Sequence, residues 1–181
     1  MLSAALLGLS LPVTAVAQPA YAVAPPLTCN GLAITLQAQP GVAIVPADSP
    51  GPDVIGGTNG PDVIDGGDGD DTICGWGDSD TLEGNEGYDW VSGGEDGDEV
   101  SGGGDGDVLW GNSGDDHLTG DGGSDLLRGG DNTDWLEGGS NDDLLHCAGG
   151  GGDFGDGGNG TETFGDALTA TSGCETWANI P

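Results

Sequence analysis

Basic side chains are all but missing from this chain. Of 181 residues only Arg128 is Lys or Arg, against 32 Asp and Glu, for a formal charge of −31. Such a surface repels phosphate backbones and anionic lipid, so nucleic acid and anionic membranes are excluded as partners and cations are favoured. No apolar run is long enough to span a bilayer, since Pro12 and Gln18 break the N-terminal one. Catalytic signatures are absent as well. There is no His-Glu-x-x-His and no Gly-x-Ser-x-Gly, and "GNSGD" at 111–115 lacks the elbow spacing. His117 and His146 are lone, twenty-nine residues apart, and read as surface strand residues. An ice-binding ladder needs ranks of Thr-x-Thr, and only Thr161 and Thr163 match. No enzymatic activity is expected.

What is present is acid and glycine, and the acid is unevenly placed. None occurs before Asp48, and only Glu175 lies beyond Asp166. By composition alone, with 40 Gly and 5% aromatics, the chain would be read as disordered. Periodicity contradicts that. Asp53, Asp62, Asp71, Asp80, Asp89, Asp98, Asp107, Asp116, Asp125, Asp134 and Asp143 follow one another at steps of nine residues. Two positions after each stands an aliphatic residue: Ile55, Ile64, Ile73, Leu82, Val91, Val100, Leu109, Leu118, Leu127, Leu136 or Leu145. Five positions before each Asp from Asp62 onward stands a glycine: Gly57, Gly66, Gly75, Gly84, Gly93, Gly102, Gly111, Gly120, Gly129 and Gly138. The position two before each Asp holds only Gly, Asn or Asp, among them Gly60, Gly69, Gly87, Gly114 and Gly123. Those residue types tolerate a left-handed backbone best, which predicts a tight turn there.

The unit is G-G-x-G-x-D-x-U-x, with U a large aliphatic residue. On these residues the segment 49–146 resembles the RTX, or hemolysin-type, calcium-binding repeat family. "TCNGLAITL", "DDTIC" and "GCETWANIP" are similar to the flanks of small secreted actinobacterial proteins of that type. The resemblance implies an all-β fold: a right-handed parallel β-roll with two nonapeptides per coil, each Ca²⁺ bridging successive turns. It implies ligands from the Asp side chains and from the Gly-turn carbonyls. Residues eighteen apart then stack at about 4.8 Å. Asp53, Asp71, Asp89, Asp107, Asp125 and Asp143 fall in one row, with Asp62, Asp80, Asp98, Asp116 and Asp134 in the other. Five gaps in the first row and four in the second admit up to nine ions. Calcium takes carboxylate and carbonyl oxygens together, whereas magnesium demands a stricter octahedron. No EF-hand loop occurs. Core aliphatics alone do not offset the ordering of so much glycine, so folding on calcium binding is expected.

The remaining expectations concern the flanks and the outer faces. Segment 1–22 reads as a secretory signal, with small residues Ala15, Ala17, Ala20 and Ala22 suiting cleavage, although a basic n-region is lacking. An arm follows at 23–48, then the repeats at 49–146, then worn repeats and a cap at 147–181. In that cap Glu162 and Phe164 stand in for the motif's Asp and aliphatic residue. The four cysteines allow three pairings. Cys29–Cys74 with Cys147–Cys174 is favoured, because each bond staples a flank to one end of the acidic region. Zinc is disfavoured, as no C-x-x-C occurs. Outward strand positions in the first row are apolar (Val54, Trp90, Val108, Trp110, Leu126, Leu144) and in the second mostly acidic (Asp65, Glu83, Glu99, Glu137). The N-terminal arm is expected to pack on the apolar face. The function expected is a secreted, monomeric calcium-binding protein. The alternative is an extracellular adhesion or partner-binding module that uses calcium only as scaffold.

Overall fold

Every second nine-residue unit returns to the same face, as the resemblance implied. The structure, a computed structural model, describes residues 28–38, 50–147, 149, 152–158, 163–164 and 175–176. The expected signal segment, Glu162 and Cys174 lie outside the described residues.

All described elements are strands. A short lead-in holds β1 (Thr28–Cys29), β2 (Leu32–Ala33) and β3 (Leu36–Gln37). The repeats supply β4 (Val54–Thr58), β5 (Val63–Asp68), β6 (Thr72–Trp76), β7 (Thr81–Glu86), β8 (Trp90–Glu95), β9 (Glu99–Gly104), β10 (Val108–Ser113), β11 (His117–Gly122), β12 (Leu126–Asp131), β13 (Trp135–Glu137) and β14 (Leu144–His146). β15 (Phe154–Asp156), β16 (Thr163–Phe164) and β17 (Glu175–Thr176) close the array. Two sheets result. One runs β3-β4-β6-β8-β10-β12-β14-β16 and the other β5-β7-β9-β11-β13-β15-β17. Every pairing within them is parallel, and in the repeats partners lie eighteen residues apart, as Val91–Leu109–Leu127 and Leu82–Val100–Leu118 show. The architecture is a parallel β-solenoid of about six turns.

The aliphatic position makes the core. All eleven side chains from Ile55 to Leu145 are 0–1% exposed and meet in a single cluster between the sheets. Each buried aliphatic contributes about 2 kcal/mol. The strands are longer than an x-U-x triplet. In β10 the ladder pairs Val108, Leu109 and Trp110, skips Gly111, and resumes at Asn112 and Ser113. The motif's opening residues therefore still belong to the sheet, and the true turn is only three or four residues long.

Two turn positions per unit carry positive φ. The one before the repeat Asp was legible in sequence: Asp78, Asp96 and Asp105 lie at φ 66–68°, and Asn132 and Asn141 at 81° and 79°. A second lies four residues before the Asp and includes Asn85, Asn112, Asp121 and, at φ 81°, Trp76. A bulky residue there is strained and needs a reason. A Cβ on Gly56 would come 2.7 Å from both the Trp76 ring and Ile34 Cδ1. The indole thus packs with the arm over a bare glycine.

At that corner the arm reaches the expected face, with Ile34 over Gly56 and Cys29 bonded to Cys74, both outward positions of the first sheet. β3 itself lies at the sheet edge. It extends the first sheet by one strand, Leu36 opposite Ile55. Thr35 Oγ1 donates to Val54 O (3.1 Å) and accepts from Val54 N–H (2.9 Å). Adding a strand satisfies an open ladder edge, which lying across the face would not do. The disulfide Cys29–Cys74 is present as expected and ties the arm to β6. Cys147 is also disulfide-bonded. At the other end Phe164 takes the register position opposite Leu145.

Candidate metal centre

Each repeat aspartate enters the turn just before its strand, where the chain bends inward. There the carboxylates form two continuous rows. The backbone N–H of Asp53 donates to Asp71 Oδ1 (2.7 Å), Asp71 to Asp89 (2.8 Å), Asp89 to Asp107 (2.8 Å), Asp107 to Asp125 (2.7 Å) and Asp125 to Asp143 (2.9 Å). In the second row Asp62 donates to Asp80, Asp80 to Asp98, Asp98 to Asp116 and Asp116 to Asp134, at 2.8–3.1 Å. One oxygen per carboxylate is thereby used to lock coil to coil.

The other oxygen is what marks the site. Among the described residues, each aspartate from Asp53 to Asp134 in the two rows keeps one buried carboxylate oxygen with no hydrogen-bond donor. A buried anion without partner is costly, and natural folds rarely tolerate one, let alone two rows. The protein supplies no cation to them, since its lone Arg is exposed on an outward face.

Glycine leaves room beside those oxygens. A Cβ built on Gly57 would sit 2.4 Å from Gly75 O and 2.9 Å from Asp62 Oδ2, which there accepts Thr58 N–H and leaves Oδ1 unpartnered. On Gly84 it would sit 2.3 Å from Asp89 Oδ2 and 2.6 Å from Gly102 O, and on Gly120, 2.4 Å from Asp125 Oδ2 and 2.5 Å from Gly138 O. The same convergence of a carboxylate with the next coil's carbonyl recurs at Gly66, Gly75, Gly111 and Gly138. At Gly93, Gly102 and Gly129 the nearest atoms all belong to Asp98, Asp107 and Asp134. A side chain at any of these glycines would collide with the carboxylate, so glycine keeps the space beside it clear for oxygen donors, the donor type calcium takes. The second glycine set stacks instead along the coil axis. Gly69, Gly87, Gly114 and Gly123 lie against the carbonyls of Gly51, Gly69, Asp96 and Asp105 one coil back, while Gly60 N–H bonds Thr58 Oγ1.

Burial raises the carboxyl pKa of the row aspartates from Asp62 to Asp134. It pushes Asp80, Asp98, Asp107 and Asp134 up to about 7 and Asp89, Asp116 and Asp125 up to about 6. The N–H donated from one coil back opposes the rise, and the like charge of neighbouring aspartates adds to it. Asp62 and Asp71 are raised for the same first cause. Among the described residues no three His, Cys, Asp or Glu side chains converge. A cation held here therefore draws much of its shell from backbone carbonyls. That donor set is all oxygen and hard, suits calcium, and does not suit zinc.

Sequence comparison agrees with the geometry. The family model of the RTX calcium-binding nonapeptide repeat (4 copies) matches residues 49–82, 77–109 and 110–145, more than half of the chain. The chain belongs to this family. No curated protein and no solved structure matches it. Its RTX repeats are calcium-binding repeats, and the family is structural rather than catalytic.

One RTX-row residue was missed in sequence. Asp153 is 1% exposed and accepts Asp134 N–H at 3.2 Å, so it continues the second row by one coil. Its separation from Asp134 is nineteen residues rather than eighteen, and the inserted residue hid it. Outside the rows, Asp68 and Asp70 are exposed, and His117 forms a surface pair with Glu137 at 3.6 Å.

Proposed function

We propose that this is a secreted, non-catalytic calcium-binding β-roll whose repeats fold as the ions bind. One observation carries the reading: two rows of buried carboxylate oxygens that no protein donor satisfies. The Asp53–Asp143 and Asp62–Asp134 rows would hold Ca²⁺ with the carbonyls of the Gly57–Gly138 series. Bound calcium supplies charge neutralisation and crosslinks each turn to the next. The regular array takes up to about nine ions, and Asp153 opens one further gap. Secretion is supported by the apolar N-terminal segment and by paired cysteines, which persist in oxidising compartments. Native mass spectrometry of the calcium-loaded chain tests the proposal. Several bound Ca²⁺ are expected, and a count near zero ends it.

A second reading has its own observation. The two outward rows of the first sheet, Val54-Thr72-Trp90-Val108-Leu126-Leu144 and Gly56-Cys74-Ser92-Trp110-Arg128-His146, contain no acid. In so acidic a chain this face is set apart, which fits an extracellular binding module built on a calcium scaffold. Trp90→Ser with Trp110→Ser separates the readings: a module loses a surface interaction while calcium binding and folding persist.

A further inference from the structure

Three departures from the repeat meet in one place. The chain's lone Arg, a tryptophan on an outward strand position and the residue insertion after β14 all border a cavity of about 260 Å³. Its walls are Trp110, Asn112, Arg128 and Asp131. Gly129, Gly130 and Gly149 also line it, Gly129 being shared with the carbonyl series of the calcium rows. None of the four wall residues belongs to the calcium rows.

The walls are held in place. The Arg128 guanidinium carbon lies 5.2 Å from the Trp110 ring centroid, a stacked cation–π arrangement. Trp90 braces the indole at 6.3 Å between centroids. Asn112 Nδ2 donates to Ser92 Oγ at 2.9 Å, which fixes the amide and leaves its Oδ1 as an acceptor. No carboxylate of the described residues lies within ion-pair reach of Arg128, in a chain with 32 acids. Trp110 Nε1 is buried with no acceptor among the described residues.

We infer that this cavity is a binding site for a neutral saccharide unit. Both signs of charge border it, so a simple anion meets Asp131 and a simple cation meets Arg128. A neutral polyol carries donors for Asp131 and Asn112 Oδ1 and acceptors for the guanidinium fork. Glycine in the lining lets the ligand approach the backbone closely. The site is shallow and open to solvent, so affinity in the millimolar range is expected, with contiguous strand positions on the acid-free face available to further sugar units. It rests on the calcium reading only through the folded coil.

The test uses the full calcium-loaded chain and ¹⁵N-labelled protein. Neutral hexasaccharides of glucose, N-acetylglucosamine and mannose are titrated to about 10 mM, beside acetate and glycine betaine. Saturable shifts are expected for the Trp110 indole, Asn112 amide and Arg128 Nε–H with at least one saccharide. Arg128→Met and Trp110→Ala should weaken that binding at least fivefold, while circular dichroism and the calcium count stay as in the parent. If no saccharide moves these signals, or acetate or betaine does so where saccharides do not, the inference is wrong. A lost calcium count in the parent would instead mark a failure of the metal reading.

Discussion

Protons should be able to stand in for calcium. Remove the metal, and the obstacle to folding is the burial of charged carboxylates that have no partner. Seven of them carry folded-state values of about 6 or 7 against 3.8 in the open chain. The folded state then binds more protons than the unfolded state between pH about 4 and 7, so metal-free stability falls as pH rises through that window. At pH 5 an aspartate held at about 7 gains the fold about 3 kcal/mol and one held at about 6 about 1 kcal/mol relative to the fully ionised state. Discounted twofold for solvent screening, the seven together amount to about 7 kcal/mol, comparable with the 5–15 kcal/mol that stabilises an ordinary domain. Calcium-stripped protein should therefore show little β signal by far-ultraviolet circular dichroism at pH 7.5 and regain it at pH 5. Working at pH 5 keeps surface acids ionised and avoids precipitation near the isoelectric point of 4.1. Calcium at pH 7.5 should restore the same spectrum. Equal β signal in stripped protein at both pH values, or a signal lost on acidification, would refute the argument that buried carboxylate charge is what keeps the apo chain open.

Other outcomes follow from single positions. Gly84→Ala places a Cβ 2.3 Å from Asp89 Oδ2 and 2.6 Å from Gly102 O, so native mass spectrometry should show at least one ion fewer. Gly77→Ala, whose Cβ meets nothing nearer than 3.9 Å, should leave the count unchanged. Asp107→Asn keeps an acceptor for Asp89 N–H but removes the charge, so isothermal titration should lose one site or show it weakened. Leu109→Ala empties a fully buried position and should cost about 2–5 kcal/mol in calcium-saturated denaturant titrations. Cys29→Ser should lower stability by about 4 kcal/mol on the chain-entropy estimate for a loop of this length, the bond spanning 45 residues. It should also make the arm the first segment to exchange amide hydrogens.

Much of this molecule was legible because its determinants are local and repeated. A nine-residue step with an aliphatic residue at a fixed offset specifies the inward side chain, the strand and the two-sheet register at once. The family resemblance implied that residues eighteen apart stack, and Val91, Leu109 and Leu127 do. The turn position filled by Gly, Asn or Asp announced its left-handed backbone, and Asp78 and Asn132 adopt it. Trp76 gave no such signal. Its positive φ is that of the repeat position four before the Asp, shared with Asn85 and Asn112, and its indole packs beside Ile34 over Gly56, a contact between segments far apart in sequence. Asp153 was hidden for a related reason: one inserted residue breaks the numerical period, while the hydrogen bond from Asp134 keeps the coil in step.

By itself the sequence determined the repeat, the core row, the aspartate rows and the cysteine that tethers the arm, since each depends on spacing along one chain. Only the tertiary structure decided which carboxylate oxygen is spent on the neighbouring coil and which is left for a metal, because that depends on how coils stack. It also decided that the arm adds a strand at the sheet edge besides meeting the outward face at Gly56 and Cys74, as an open ladder edge is satisfied only by backbone. And it gathered Arg128, Trp110 and Gly149 around one cavity, a meeting that no local pattern encodes.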